Sequence, residues 1–312
     1  MNFEFKKPVL DDFKFSAEKK KKMLEMLYDH GPGNGTLLVL PIDQGLEHGP
    51  MDFFANPDAK NPEFQFKLAI EGGYSAIACH IGIAEKHWVN YKGKIPLILK
   101  VNGKTAIPSD DEAFSPLTST VEDAVRLGAT AVGYTLFVGS PAQDRDIAQL
   151  NKVRLECRKN DLPLVVWSYP RGKDVQDKGD RDSLYSVDYA ARIAMELGAD
   201  IVKLNTPKKL SGEKLEKYKA FLSKKEETKP YIELENASDE ERMRRVVESA
   251  GRTFVIVSGG GKVGDKDLVK RSEYCVKAGV TGFVYGRNMW QRPYKEALEM
   301  TRQIKEMLKR KT

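Results

Sequence analysis

Short β-branched or aliphatic runs recur along the chain. They are TLLVLPID ending at Asp43, YSAIACH ending at His80, PLILKVN ending at Asn102, TAVGYTLF, PLVVWSY ending at Tyr169, DIVKLN, TFVIVSG and TGFVYG. Longer stretches with amphipathic helical spacing separate them, predicting helices over 62–71, 83–91, 120–127, 143–160, 185–197, 211 onward, 265–278 and 293–310. Strand-sized apolar runs alternating with helix-sized ones are the signature of βα units in a parallel sheet. Eight such units predict an α/β protein closed as a (β/α)8 TIM barrel. The alternative, an open doubly wound sheet, lacks its usual G-x-G-x-x-G after the first run.

Two segments exceed a minimal barrel. In the first, Ser16 can N-cap a helix carrying Met23, Met26 and Leu27 on one side and stopping at Gly31. The second, 206–251, holds about two helices around PYIELEN. Neither is set apart by a Pro/Gly/Ser linker. The expected organisation is therefore an N-terminal helical extension over 1–35 and one barrel catalytic domain over 36–312.

Composition narrows the class. With 41% hydrophobic and 31% charged residues among 312, the chain has enough apolar material for a large core and is not disordered in character. No apolar run reaches the ~18 residues of a membrane span, and the opening MNFEFKKPVLDDFKF lacks the apolar stretch of a signal peptide. A cytoplasmic protein with no membrane partner is expected. Cys79, Cys157 and Cys275 are too widely spaced for a disulfide framework or a CxxC metal site and read as core fillers. Net charge is +6, part of it in Lys19–Lys22, which reads as a solvated helix face; no aromatic interleaving points to nucleic acid. A mildly basic balance suits small anionic ligands.

Barrel active sites form at the C-terminal strand ends. The polar residues there are Asp43, His48 in the loop beyond it, His80, Lys100, Asn102, Trp167, Tyr169, Arg171, Lys203, Asn205, Ser258 and Arg287. In Asp200 to Asn205, alternation sets Val202 and Leu204 on one face and Ile201, Lys203 and Asn205 on the other. If the aliphatic pair packs under helices, Lys203 points into the barrel, where burial favours the neutral amine of a Schiff-base nucleophile. Lys100 in LILKVN satisfies the same argument, so spacing leaves the two level. After the seventh and eighth strands, Ser258-Gly259-Gly260-Gly261-Lys262 and Gly286-Arg287-Asn288 occupy the usual positions of a barrel phosphate site. Tyr169 and Trp167 share a face at the fifth strand end, where a phenol can transfer a proton. Asp43, Glu47 and His48 lie close together, but too few histidines accompany them for a three-histidine site, and lysine chemistry needs neither metal nor cofactor.

The motifs PIDQGLEHGP, VVWSYPRG, GADIVKLNTP, VSGGGK and YGRNMWQRP, running from Pro41 to Pro293, resemble those of the archaeal-type class I fructose-bisphosphate aldolase family. The resemblance implies Lys203 as Schiff-base former, Tyr169 as proton-transfer residue and Asp43 as an aid to the carbinolamine and Schiff-base steps. It further implies Trp167 beside the substrate, with Ser258, Gly259, Gly260, Gly286 and Arg287 holding a phosphate. A phosphorylated sugar as substrate, no metal or other cofactor, and a large homo-oligomer also follow from it. Past Lys203 the match weakens, and a further acid is either Glu213 or none of the visible residues. Two other readings share these residues: a related barrel lyase acting on another sugar phosphate, and a non-catalytic barrel binding phosphorylated ligands or nucleic acid.

Overall fold

The computed structural model describes residues 6–310, so the outer ends of the 1–35 and 36–312 segments lie outside the described residues. Eight parallel strands follow in chain order: β1 (Leu37–Pro41), β2 (Ala76–His80), β3 (Leu97–Lys100), β4 (Ala131–Val138), β5 (Leu164–Pro170), β6 (Ile201–Leu204), β7 (Phe254–Ser258) and β8 (Gly282–Val284). They form a closed barrel in sequence order, and β8 pairs back onto β1 with Leu37 opposite Gly282.

Side-chain alternation divides the core in two. Leu38, Leu40, Ile77, Cys79, Val202 and Leu204 pack outward under the helices. Leu37, Val39, Ala76, Ala78, Ile98, Ala131, Val165, Trp167, Ile201, Phe254, Ile256 and Val284 form the barrel interior. Because parity is kept, the same inward faces continue upward into His80, Lys100, Tyr169, Lys203 and Ser258. An apolar floor thus carries a polar ceiling.

The helices start where their capping residues allow. Ser16, Asn61, Thr120, Ser183 and Ser238 accept backbone N–H groups at helix N-termini. Gly128 and Gly279 close two helices in the left-handed conformation. The helix expected over 83–91 begins earlier, as Ile81–Lys86, and breaks into a 3-10 turn, Trp88–Tyr91; buried Trp88 donates Nε1–H to the Ile95 carbonyl there, 3.1 Å away. Between 206 and 251 there are three α-helices rather than two, and PYIEL is itself one of them (Pro230–Leu234), with its proline in the first turn, where no N–H is needed.

The N-terminal arm plugs the barrel floor. Helix Ala17–Leu24 runs on into a π-helical turn, Glu25–Asp29, and Met23, Met26 and Leu27 join the interior cluster. Phe13 stacks on Phe15 and on Phe254, with centroids 4.9 and 5.0 Å away. The lysine run corrects its reading as a solvated face. Lys19 Nζ reaches Asp200 at 2.7 Å, and Lys22 Nζ donates to the Asn160 and Asp161 carbonyls at 3.3 and 3.1 Å. These partners lie just before β5 and β6, so two of the four lysines pin the arm to the floor. Truncating Met26, which has no exposed surface, to alanine is expected to cost about 2–5 kcal/mol. Leu24→Ala, at a position 38% exposed, should cost under about 0.5 kcal/mol. Equal shifts of the two denaturation midpoints would contradict the plug.

Candidate active site

Above the polar ceiling lies a cavity of about 660 Å³. Asp43, Trp167, Tyr169, Lys203, Ser258, Gly259, Gly260, Gly286 and Arg287 all stand at or beside the C-terminal strand ends, and all but Trp167 line the cavity. Trp167 lies one layer deeper as its floor: the Nζ atoms of Lys100 and Lys203 stand 4.8 and 5.1 Å from its ring. Gly133 on the neighbouring strand makes this possible. A Cβ there would sit 2.7 Å from the indole and 3.1 Å from the Lys100 stem.

The two lysines that periodicity left level have opposite surroundings. Lys100 is wholly buried, and its Nζ donates to Glu47 at 2.7 Å and to Asp43 at 3.4 Å. Burial alone would depress its pKa, but the two carboxylates outweigh burial and hold it above the ordinary lysine value. Lys203 is 6% exposed and has no hydrogen bond or carboxylate within ion-pair distance among the described residues. Burial dominates there, with further depression from Lys100 and Arg287, so its pKa falls to about 8 despite the pull of Asp43 and Glu47. At pH 7 roughly a tenth of Lys203 is then neutral, some 300-fold more than for an ordinary lysine. One lysine is a fixed cation and the other an available amine.

The carboxylates complete the centre. Asp43, 2% exposed, would be raised by burial, but Lys100 and Lys203 bring it below the usual carboxylate range. In the sequence Glu47 stands out only by its closeness to Asp43 and His48. In space it turns toward Lys100, whereas His48 turns away and pairs with Asp52 at 2.8 Å. Glu213, the acid considered from sequence, lies on the exposed face of helix Gly212–Leu222, bound to Lys217, and does not line the cavity. Burial first, then Glu47 and Asp43, push the Tyr169 phenol up, so it is neutral in the free site. Its ring lies 5.6 Å from Lys203 Nζ and 5.4 Å from the Arg171 guanidinium.

Cations gather on two sides of the cavity. Beyond β7 and β8 are Lys262, Arg271 and Arg287, with Arg287 3.6 Å from Asp52. Nearly across the barrel, in the loops after β3 and β5, Lys104, Arg171 and Arg181 surround Asp110 at 2.9, 3.2 and 3.6 Å. Three cations on one carboxylate leave that rim positive. Between the two sides, Ser258 Oγ donates to Asn205, whose amide donates to Asp182, which also holds Lys208. Sequence reasoning did not select Lys104, Arg181 or Arg271, which come from loops and a helix rather than from strand ends.

No helix among the described residues is long and apolar enough to cross a membrane. Residues 37–292 match the DeoC/LacD family aldolase. The chain is 38% identical to a Thermoproteus tenax protein, fructose-bisphosphate aldolase class 1, over 275 residues covering 88% of this chain and 90% of that one. A Halobacterium salinarum protein of the same name is 34% identical, covering 85% and 88%. Among solved structures, an archaeal fructose-1,6-bisphosphate aldolase with its catalytic lysine covalently bound to the carbinolamine intermediate is 36% identical. Its TM-score is 0.75, with 93% of this chain and 98% of that one covered. The chain belongs to the DeoC/LacD family of aldolases.

Proposed function

We propose that this protein is a class I fructose-bisphosphate aldolase that cleaves fructose 1,6-bisphosphate reversibly to dihydroxyacetone phosphate and glyceraldehyde 3-phosphate without a metal. One observation carries the reading: a buried amine, Lys203, with no carboxylate within ion-pair distance among the described residues, stands at the base of a cavity with cations on two sides. A ketose with a phosphate at each end matches that distribution. The C1 phosphate lies at Ser258, Gly259, Gly260, Gly286 and Arg287, and the C6 phosphate at Lys104, Arg171 and Arg181.

Neutral Lys203 attacks the C2 carbonyl, and the resulting carbinolamine loses its hydroxyl as water to give a protonated imine. Asp43 and Glu47 exchange protons with that hydroxyl, and Lys100, hydrogen-bonded to both, holds Asp43 ionised until needed. The imine accepts the electron pair of the C3–C4 bond as it breaks. The proton that carries the carbinolamine hydroxyl away as water comes from the Tyr169 phenol through the Asp43 and Glu47 carboxylates, so Tyr169 stands as a phenolate when it takes the C4 hydroxyl proton and releases the aldehyde. A phenol held neutral in the free site gives up its proton more readily once a fixed imine cation replaces the neutral amine 5.6 Å from its ring. The enamine is then protonated at C3, and water hydrolyses the imine to dihydroxyacetone phosphate. The indole of Trp167 walls the reacting carbon from beneath.

The reading extends to a cytoplasmic homo-oligomer serving glycolysis and gluconeogenesis. Its support is the family resemblance and, among the described residues, the lack of a membrane-crossing helix. Docking of Lys19 and Lys22 onto the barrel floor counts against nucleic-acid binding through that helix.

A coupled assay with fructose 1,6-bisphosphate tests the proposal. Cleavage should persist with excess chelator, and kcat/KM should rise about tenfold per pH unit up to a limb near 8, where Lys203 loses its proton. Absence of cleavage, loss of activity to the chelator, or a rate that falls as pH approaches 8 would contradict it.

A further inference from the structure

The loop after β7 carries a problem of its own. Gly260 has a φ of +62°, in the left-handed region, and Gly259 and Gly261 on either side have no side chains to restrain it. Two side chains from elsewhere supply the restraint. Arg271 Nη2 donates to the Gly259 carbonyl at 2.8 Å. Asn288 Nδ2 donates to the Gly259 and Gly261 carbonyls at 2.9 and 3.1 Å, while its Oδ1 accepts from Val263 N–H at 3.0 Å. In a trans peptide the C=O and the next N–H point to opposite sides. Fixing these two carbonyls therefore turns the N–H groups of Gly260 and Lys262 away from wholly buried Asn288. Neither N–H has a protein acceptor among the described residues, and both residues line the cavity. Successive amides turned to one side in such a loop make an anion-binding concavity.

The charges around the loop are unequal. Arg287 faces Asp52 at 3.6 Å, and Lys262 Nζ is engaged by the Gln291 carbonyl at 3.1 Å. Arg271 lines the cavity and has no carboxylate within ion-pair distance among the described residues. Its Nε is buried without a partner, and its Nη1 lies 4.0 Å from the position a Gly260 Cβ would take. We propose that Arg271 is the principal positive charge of a cradle for a phosphate monoester dianion and, with Asn288, the positioning residue that holds the loop amides toward it. The inference rests on the reading that this end of the cavity takes the phosphate of the ketone.

The test compares borohydride-trapped adduct formation with dihydroxyacetone phosphate and with dihydroxyacetone, in wild type, Arg271→Met and Arg271→Lys. Removing a charge-assisted donor pair should reduce the preference for the phosphorylated ketone about 10- to 100-fold in Arg271→Met. Arg271→Lys, keeping the charge without the fork, should recover part of it. A preference within threefold of wild type in Arg271→Met, or equal loss with both ketones, would overturn the proposal. Calorimetric titration of inorganic phosphate is the readout independent of Schiff-base chemistry: binding should weaken at least tenfold in Arg271→Met, and unchanged binding overturns the inference. If wild type forms no adduct with either ketone, the aldolase reading fails, and the phosphate titration still decides the role of Arg271.

Discussion

Lys203→Met is expected to lower kcat for fructose 1,6-bisphosphate cleavage by at least about 10⁴-fold, because no other described amine combines burial with freedom from carboxylates. The same change should stabilise the fold. A lysine whose folded pKa is about 8 against an ordinary 10.5 is penalised in its charged form. The unfolded chain binds more protons between those values, so stability rises with pH from about 8 to 10.5, and the penalty is complete below about 8. At pH 7, methionine of similar length should relieve roughly 1–3 kcal/mol, read as a higher unfolding midpoint. Lys100→Met, by contrast, leaves Asp43 and Glu47 facing each other without their shared cation and should destabilise. An inactive Lys203→Met that is also less stable than wild type would contradict the electrostatic account of this site.

Tyr169→Phe has the second-largest expected effect. It removes the group that accepts the C4 hydroxyl proton without altering the amine, so C3–C4 cleavage should slow about 10²- to 10⁴-fold. Imine formation with dihydroxyacetone phosphate, which involves no C4 hydroxyl and for which water supplies the proton in place of the phenol, should stay within about threefold of wild type. The split separates bond cleavage from carbonyl addition. If both fall together, Tyr169 acts on binding or on Lys203 rather than on the proton, which its position 5.6 Å from Lys203 Nζ would then have to explain.

The strand pattern was legible because parity persists through the barrel. The alternation that sets Val202 outward and Ile201 inward carries Lys203 into the cavity, and the same rule accounts for Lys100, Tyr169 and Ser258. Parity gives direction but not company. What distinguishes Lys100 from Lys203 is Glu47, which reaches Lys100 from the short helix Gln44–His48, 53 residues earlier, and no local pattern encodes that meeting. Arg271 escaped notice for a related reason. It belongs to the helix Asp265–Ala278, where an arginine at helical spacing reads as surface, yet it folds back onto the loop after β7. At the other end of the barrel, Lys19 and Lys22 looked solvated because their partners, Asp200 and the Asn160–Asp161 carbonyls, are distant in sequence. On the strands the inward face was predictable from two-residue alternation, whereas the contacts between elements distant in sequence were not.

The central claim is that Lys203, and not Lys100, forms the covalent intermediate. Borohydride reduction of the wild-type protein in the presence of dihydroxyacetone phosphate, followed by peptide mass spectrometry, tests it directly. The account predicts a single reduced adduct on Lys203. An adduct on Lys100, or none at all, would contradict it.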